Sequence, residues 1–398
     1  MSAAGPGAHR RFDDADRRAM GRALTLARRG RSTTAPNPMV GSVVVRDNEV
    51  VGEGWHRRAG GEHAEAMALG QAGDRAHGGT IYVTLEPCNH DGRTPPCAGR
   101  ILESGVKRVV FAHRDPNPEV EGGGAARLRA AGLRVESGLL ADQAVEMNVP
   151  FLIRVLHRRP AVTLKWAMSL DGRIATATGD SQWISSERGR RWALELREEH
   201  QAIVVGSGTA QADDPRLNRR LNRRLGRAQG PILRVVLDRR LRLSAAARMF
   251  EVEGPVVVYT EAPREIGSSM SADARDWATR RHRLRRAGAE VVGLSAVEPA
   301  GVLEDLFDRG VSNVLVEGGG EVLAAFSGSG LWDRAAVCCA PVLIGGKAAP
   351  GPLGGDGPRR LADALRLDEL RVSRRGPDVI LLGYRQGCLP ELSRSVGG

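Results

Sequence analysis

The sequence predicts an α/β protein of two successive domains, and three observations carry that reading. Short β-branched runs alternate with stretches of helical periodicity, the pattern of a largely parallel sheet covered by helices on both faces. The alternation breaks at "HRRP" (157–160) and restarts at Ala161. The chain of 398 residues also exceeds what one ordinary hydrophobic core holds. The expected domains are 10–155 and 160–386.

In the first, Met20, Ala23, Leu24 and Ala27 recur on one face of a helix from Asp13 to about Arg29, with Asp13 or Asp14 as N-cap. "APNPMVGSVVV" (35–45) is a Pro/Asn turn feeding a β-branched strand. A polar turn through Trp55 and His56 leads to the helix "EHAEAMALGQAG" (62–73), which glycine ends. A strand, "TIYVTLEPC" (80–88), and a short helix after Cys97 follow. The strand "KRVVFAH", the helix "GGAARLRAAG" and the strand "LRVESG" complete the segment.

The second domain offers eight strands: "AVTLKWAM", "AIVVGSGT", "PILRVVLD", "PVVVYT", "AEVVGL", "NVLVEGGG", "RAAVCCAP" and "DVILLGY". Helices at Glu187–Glu199 and Gly301–Arg309 lie among them, and the last dozen residues read as a tail. "RLNR" occurs twice in succession (216–219 and 220–223), a local duplication.

The N-terminal stretch has no apolar signal-peptide core and no apolar run is long enough to span a bilayer, so the expected location is the cytosol. In a reducing compartment the five cysteines are ligands or buried thiols rather than a disulfide framework. The formal charge of +11 raises a nucleic-acid partner as a reading. Only 4% of residues are aromatic, and no basic run is interleaved with Tyr or Phe to stack bases. Phosphorylated small molecules or a solvated Arg-rich surface explain the charge better.

Cys338 and Cys339 are adjacent in an apolar run, where a strand sends them to opposite faces, and are read as packing. Cys388 lies in the tail with no evident partner. That leaves Cys88 and Cys97, at the two ends of "CNHDGRTPPC", to be explained. With His63 they make one imidazole and two thiolates, a tetrahedral zinc set that keeps its fourth position for water. A helix start favours the thiolate form. Zinc lowers the pKa of bound water, and a carboxylate that is not a ligand, here Glu65, can move the proton to a leaving amine. Zinc nucleobase deaminases use this arrangement. The competing reading is a closed structural zinc with His90 as fourth ligand.

Eight residues separate Cys88 from Cys97, where deaminases of cytidine or tRNA adenosine typically carry two. "APNPMVGSVVV", "HAE", "PCNHDGRTPPC" and "SLDGRIA" together resemble the bifunctional deaminase–reductase family of riboflavin biosynthesis, from about residue 13 to 385. The resemblance implies a cytidine-deaminase-like zinc domain followed by a dihydrofolate-reductase-like domain that uses NADPH. It implies that Asn37, His56, His90 and Arg93 face the pyrimidine or the ribosyl phosphate, Arg93 by its planar fork.

In the second domain, "VVGSGT" (204–209) and "LVEGGGEVLAAF" (315–326) are glycine-rich strand-to-helix turns suited to phosphate, though neither is a G-x-G-x-x-G fingerprint. The resemblance implies NADPH contacts at Ala167, Trp183, Thr209, Asp213, Gly319, Gly320, Glu321, Val322, Leu323, Ala324 and Ala325. It implies substrate contacts at Lys165, Ser181, Arg197, Leu217, Arg220 and Glu317, with Lys165 or Asp213 polarising the sugar. Arg190 and Arg197, seven apart on one helix face, suit a phosphate. The duplication leaves open whether Arg219, Arg220 or Arg223 takes the arginine position.

The expected activity is hydrolytic deamination of a phosphoribosylated diaminopyrimidine, then NADPH-dependent reduction of its ribosyl group to ribityl, in a homo-oligomer without nucleic-acid or membrane partners. The rivals are a tRNA or nucleoside deaminase with a non-catalytic second domain, and a zinc-stabilised nucleic-acid-binding protein.

Overall fold

A computed structural model describes residues 12–90, 95–117, 123–221, 230–263 and 272–397. It divides into two compact units, one running to Leu156 and rejoined by the segment from Leu389, the other His157–Cys388.

The first unit holds strands β1 (Gly41–Arg46), β2 (Glu49–Trp55), β3 (Thr80–Val83), β4 (Arg108–Phe111) and β5 (Arg134–Ser137). Its helices are α1 (Asp14–Ala27), α2 (Ala64–Ala72), α3 (Cys97–Glu103), α4 (Gly123–Ala130), α5 (Ala141–Met147) and α6, Val149–His157, which runs into the second unit. The sheet order is β2-β1-β3-β4-β5. Its β3-β4-β5 half is parallel, but β1 pairs antiparallel with both β2 and β3, so the sheet is mixed.

Strand β2 is absent from the sequence reading, which placed a turn there. The hairpin turns at Asp47 and Asn48, with φ of 50° and 63°, the left-handed pair that matches strand twist. Two glycines and two glutamates in "EVVGEGW" hide the strand pattern. The glycines have a reason: a Cβ at Gly52 would lie 2.1 Å from the Ala68 carbonyl oxygen, and one at Gly54 2.2 Å from that of Ala64. Helix α2 therefore rests directly on β2 backbone, which fixes the height of His63 and Glu65 above the sheet.

Strand alternation sorts the core onto the two faces of this sheet. Val44, Ile81, Val83, Val109 and Phe111 pack with α2, α3 and α4; Val43, Tyr82 and Val110 pack with α1. Asp13 caps α1 in a reciprocal capping box with Asp16.

The second unit contains β6 (Ala161–Ser169), α7 (Glu187–Glu199), β7 (Ala202–Gly206), α8 (Ser207–Asp213), β8 (Leu233–Leu237), β9 (Val256–Glu261), α9 (Ala272–Arg286), β10 (Ala289–Leu294), α10 (Pro299–Asp308), β11 (Asn313–Val316), α11 (Gly320–Ser329), β12 (Arg334–Ala340), β13 (Leu367–Arg375) and β14 (Asp378–Arg385). The sheet order is β10-β9-β8-β7-β11-β6-β12-β14-β13, parallel through β12 and antiparallel in the last two pairings. All eight expected strands are present. Strand β13 was not foreseen: it is an edge strand with both faces in water, and "LDELRVSRR" carries no alternation.

The expected tail is a helix, α12 (Cys388–Val396), with Leu392 and Val396 buried in the first unit. Cys338 is buried and Cys339 half-buried on the opposite face of β12. No helix among the described residues is long and apolar enough to cross a membrane.

Candidate functional site

His63 is the N-cap of α2, Cys88 follows β3, and Cys97 opens α3. Three backbone devices bring them together. Glu86 N–H donates to the His113 carbonyl (3.0 Å), extending the β3–β4 pairing toward Cys88. Ala98 N–H donates to the Cys88 carbonyl (3.1 Å). Cys97 N–H donates to Cys88 Sγ (3.4 Å), a helix-start N–H aimed at a thiolate. His63 Nδ1 lies 3.2 Å from Cys97 Sγ and 3.5 Å from Cys88 Sγ.

The three ligand atoms all fall within 4.8 Å of one another, and among the described residues this group does not include His90. One imidazole and two thiols, with no fourth protein donor among the described residues, are a donor set that fits zinc with a position left for water. The Cys97 thiol, and then His63, hold the Cys88 pKa down at about 4, while Cys97 is pushed up, first by Cys88 and then by burial.

Glu65, in the first turn of α2, is 4% exposed. Burial pushes its pKa above the usual carboxylate range, against the pull of His63. A buried acid with raised proton affinity beside a metal set is what proton shuttling requires.

His56 is buried, and its Nδ1 lies 3.1 Å from the Glu62 carbonyl, so that nitrogen carries the proton. Burial lowers the pKa of the ring, and with Nδ1 as the donor Nε2 accepts from Asn37 Nδ2 (3.3 Å). The His56 ring meets the His63 ring edge-on at 5.7 Å. Asn37 and His56 are thus joined beside the metal set. His90 is half-buried with Nδ1 out of water and unpartnered. Arg93 lies outside the described residues.

The sequence reading missed Asp115 and Asn117, just past β4. Burial pushes the Asp115 carboxyl up to about 6, in the field of Glu86, Cys88 and His90, and it accepts from Asn117 N–H at 3.0 Å. A "DPNP" turn at a parallel strand's carboxyl end was the available signal.

In the second unit, Thr209 Oγ1 accepts from Gly319 N–H at 3.0 Å, so the two glycine-rich turns are fastened together. Val322 packs under both, where side chains at Gly206 or Gly318 would collide with it. Gly320 accepts from Gly354 N–H (3.0 Å), which brings in a third glycine-rich segment that the sequence reading overlooked. Leu323 is fully buried, so only its backbone can face a cofactor; Glu321 and Ala325 are exposed, and Ala324 half-buried. Ala167 lies on β6 and Ser181 precedes α7, both half-buried. Trp183 is 69% exposed, with the Arg190 guanidinium 4.6 Å from its ring centre. Burial raises the Asp213 pKa.

Arg197 and Glu317 bind each other through two bonds of 3.0 and 2.7 Å. Burial would raise the Glu317 pKa, but Arg197 and then Lys165 bring it down to about 2. The pairing compensates the Arg197 charge that the sequence reading had offered to a phosphate.

The duplicated arginines divide their roles. Arg219 donates to the carbonyls of Arg197, His200 and Gly230, closing the C-terminal end of α7. Arg220 is exposed, bonds Asn218, and sits in the field of Arg197, Arg216 and Arg248. Leu217 is buried in the core with φ of 47°, so its side chain is structural. Arg223 lies outside the described residues.

Residues 13–113 match the model of the cytidine and deoxycytidylate deaminase zinc-binding region, and residues 160–381 match the RibD C-terminal domain. The second match alone spans more than half of the chain. The chain belongs to the RibD family. Relatives described as riboflavin biosynthesis protein RibD include that of Bacillus amyloliquefaciens, 42% identical over 91% of this chain and 94% of its own length. That of Escherichia coli is 40% identical over 91% and 97%. Among solved structures, RibD of Acinetobacter baumannii matches with a TM-score of 0.80 at 36% identity, covering 94% of this chain and 99% of its own. RibD proteins join a zinc-dependent deaminase to an NADPH-dependent reductase in riboflavin biosynthesis. The first matched region contains His63, Glu65, Cys88 and Cys97; the RibD C-terminal match contains both glycine-rich turns and the Arg197–Glu317 pair.

Proposed function

We propose that the first unit deaminates 2,5-diamino-6-(5-phosphoribosylamino)pyrimidin-4(3H)-one to 5-amino-6-(5-phosphoribosylamino)uracil, and that the second reduces the ribosyl group of that product to ribityl. Water is consumed and ammonia released in the first step; NADPH and a proton are consumed in the second. The observation that carries the reading is the buried carboxyl of Glu65 beside a three-donor set, since a closed structural site needs a fourth donor and no shuttle.

His63, Cys88 and Cys97 would hold zinc, which when bound acidifies water enough to make hydroxide available at neutral pH. A Glu65 carboxylate oxygen takes the proton released in the attack and delivers it to the departing amine. Neutral His56 and Asn37 present fixed hydrogen-bonding edges to the pyrimidine, and His90 and Arg93 complete the substrate's surroundings.

In the second unit, Ala167, Trp183, Thr209, Asp213 and the 319–325 turn would hold NADPH, which when bound would supply the hydride. Arg220 takes the phosphate, with Ser181, the Leu217 backbone and the Arg197–Glu317 pair lining the substrate. Lys165 Nζ or the Asp213 carboxyl gives the sugar oxygen its proton. Holding both partners close and in line is the protein's contribution. The deaminase occupies 10–155 and the reductase 160–386. The thiols of Cys88, Cys97, Cys338 and Cys339 favour the cytosol, and exposed Leu370 and Val372 on edge strand β13 favour a homo-oligomer.

Mass spectrometry of the diaminopyrimidine phosphate with zinc-loaded protein tests the reading. One amine should be exchanged for oxygen without NADPH, and two hydrogens gained when it is added. Glu65→Gln should slow the first change by about 10²–10⁴-fold and leave the second intact. Loss of both changes in that variant would argue against separate sites.

A further inference from the structure

We propose that helix α12, which follows the reductase unit in the chain, positions the Arg114–Asn117 turn beside the metal ligands and so sets substrate binding by the deaminase. This rests on the assignment of the deaminase site above. The helix lies beyond residue 381, where the match to the RibD C-terminal domain ends.

Hydrogen bonds and packing attach α12 to the rest of the first unit. The Val396 carbonyl accepts from Arg114 N–H at 3.1 Å, and Ser393 Oγ donates to Asp142 at 3.3 Å. Leu392 and Val396, one helical turn apart, are each 1% exposed. The Arg114 bond falls where the strand ladder stops, on the residue before Asp115. From there the connection to the metal set is short. His113 Nδ1 donates to the Arg114 carbonyl at 2.8 Å, and the His113 carbonyl accepts from Glu86 N–H at 3.0 Å, two residues before Cys88. One side of the turn is held by the Cys88 segment and the other by α12.

The seam is incompletely filled. A cavity of about 80 Å³ remains between α12 and the strand ends, lined by His113, Arg114, Ser137, Ser393 and Val396 among others. His113 is 2% exposed and its Nε2 has no hydrogen-bond partner. A core element fills its contact surface to crystal-like density; a seam with a void and an unpartnered nitrogen belongs to an added element that can leave without removing the core. The helix is accordingly assigned to placing the turn, on which Asp115 and Asn117 are carried.

The test is Leu392→Asp in the full-length, zinc-loaded protein. Deamination kcat/KM should fall by about tenfold to a hundredfold, mainly through KM, as small displacements of positioning groups do. Zinc per chain and the NADPH-dependent step should stay within about twofold of the parent. A chain ending at Gly387 should show the same defect, repaired saturably by a synthetic peptide of residues 388–398. Unchanged deamination in Leu392→Asp overturns the proposal. So does loss of zinc along with activity, because the helix would then support the fold rather than the turn. A parent protein that fails to deaminate overturns the assignment of the site instead.

Discussion

Arg197 and Glu317 form a two-bonded ion pair in which the side chains are only 14% and 8% exposed. Removing one partner strands the other charge out of water, which costs about 3–5 kcal/mol. Glu317→Ala should therefore lower the stability of the second unit by that amount and abolish NADPH oxidation. Arg197→Lys should not restore it, because an ammonium cannot reproduce the planar fork. Denaturant unfolding, with NADPH absorbance for activity, reads both.

The two arginines that meet in the duplicated segment should separate cleanly. Arg219→Ala leaves the His200 carbonyl at the end of α7 without its side-chain donor and should cost about 1–3 kcal/mol of stability. Arg220→Ala should leave stability within about 0.5 kcal/mol and raise the reductase KM for the phosphorylated substrate. Thermal melts and steady-state kinetics on the two variants decide between structural and binding roles.

Gly54→Ala places a methyl group 2.2 Å from the Ala64 carbonyl oxygen, so α2 must lift from β2. The expected cost is about 1–3 kcal/mol. Because His63 and Glu65 ride on that helix, deamination should fall more than the reductase step, with reduced zinc retention on dialysis against a mild chelator.

His200 is 3% exposed, its Nδ1 donating to the Leu196 carbonyl at 2.7 Å. Burial, and then Arg334, push its pKa down to about 3. A depressed histidine stays neutral in the fold while the unfolded chain takes up a proton. Stability is therefore complete above about pH 6.5 and declines as pH falls toward 3, by roughly 3–5 kcal/mol in total. Replacing His200 with Gln should flatten that part of the stability–pH curve for the second unit, measured by urea unfolding from pH 7 to 4.

The two α/β units and the meeting of His63, Cys88 and Cys97 were legible because their signals are local and strong. β-branched runs mark the parallel strands, and "HAE" with "PC…PPC" brings soft ligands to two helix starts. What escaped obeys other rules. Strand β2 is built around glycines needed for helix contact, and β13 has water on both faces, so neither shows period two. Asp115 comes near Glu86, Cys88 and His90 only through the β3–β4 ladder, which no spacing along the chain reveals. Leu217 and Leu323 were named as contacts, and their side chains are core, because side-chain burial is not visible one position at a time.

Helix α12 also bears on how the protein is made. The first unit emerges from the ribosome with its sheet and His63, Cys88 and Cys97 complete, yet one of its helices is translated only after the whole of the second. Between those moments the Arg114–Asn117 turn lacks one of its two supports, and the α12 docking surface is bare. The two catalytic units are thus linked in biogenesis as well as in sequence: translation must pass through the reductase before the deaminase receives its last piece.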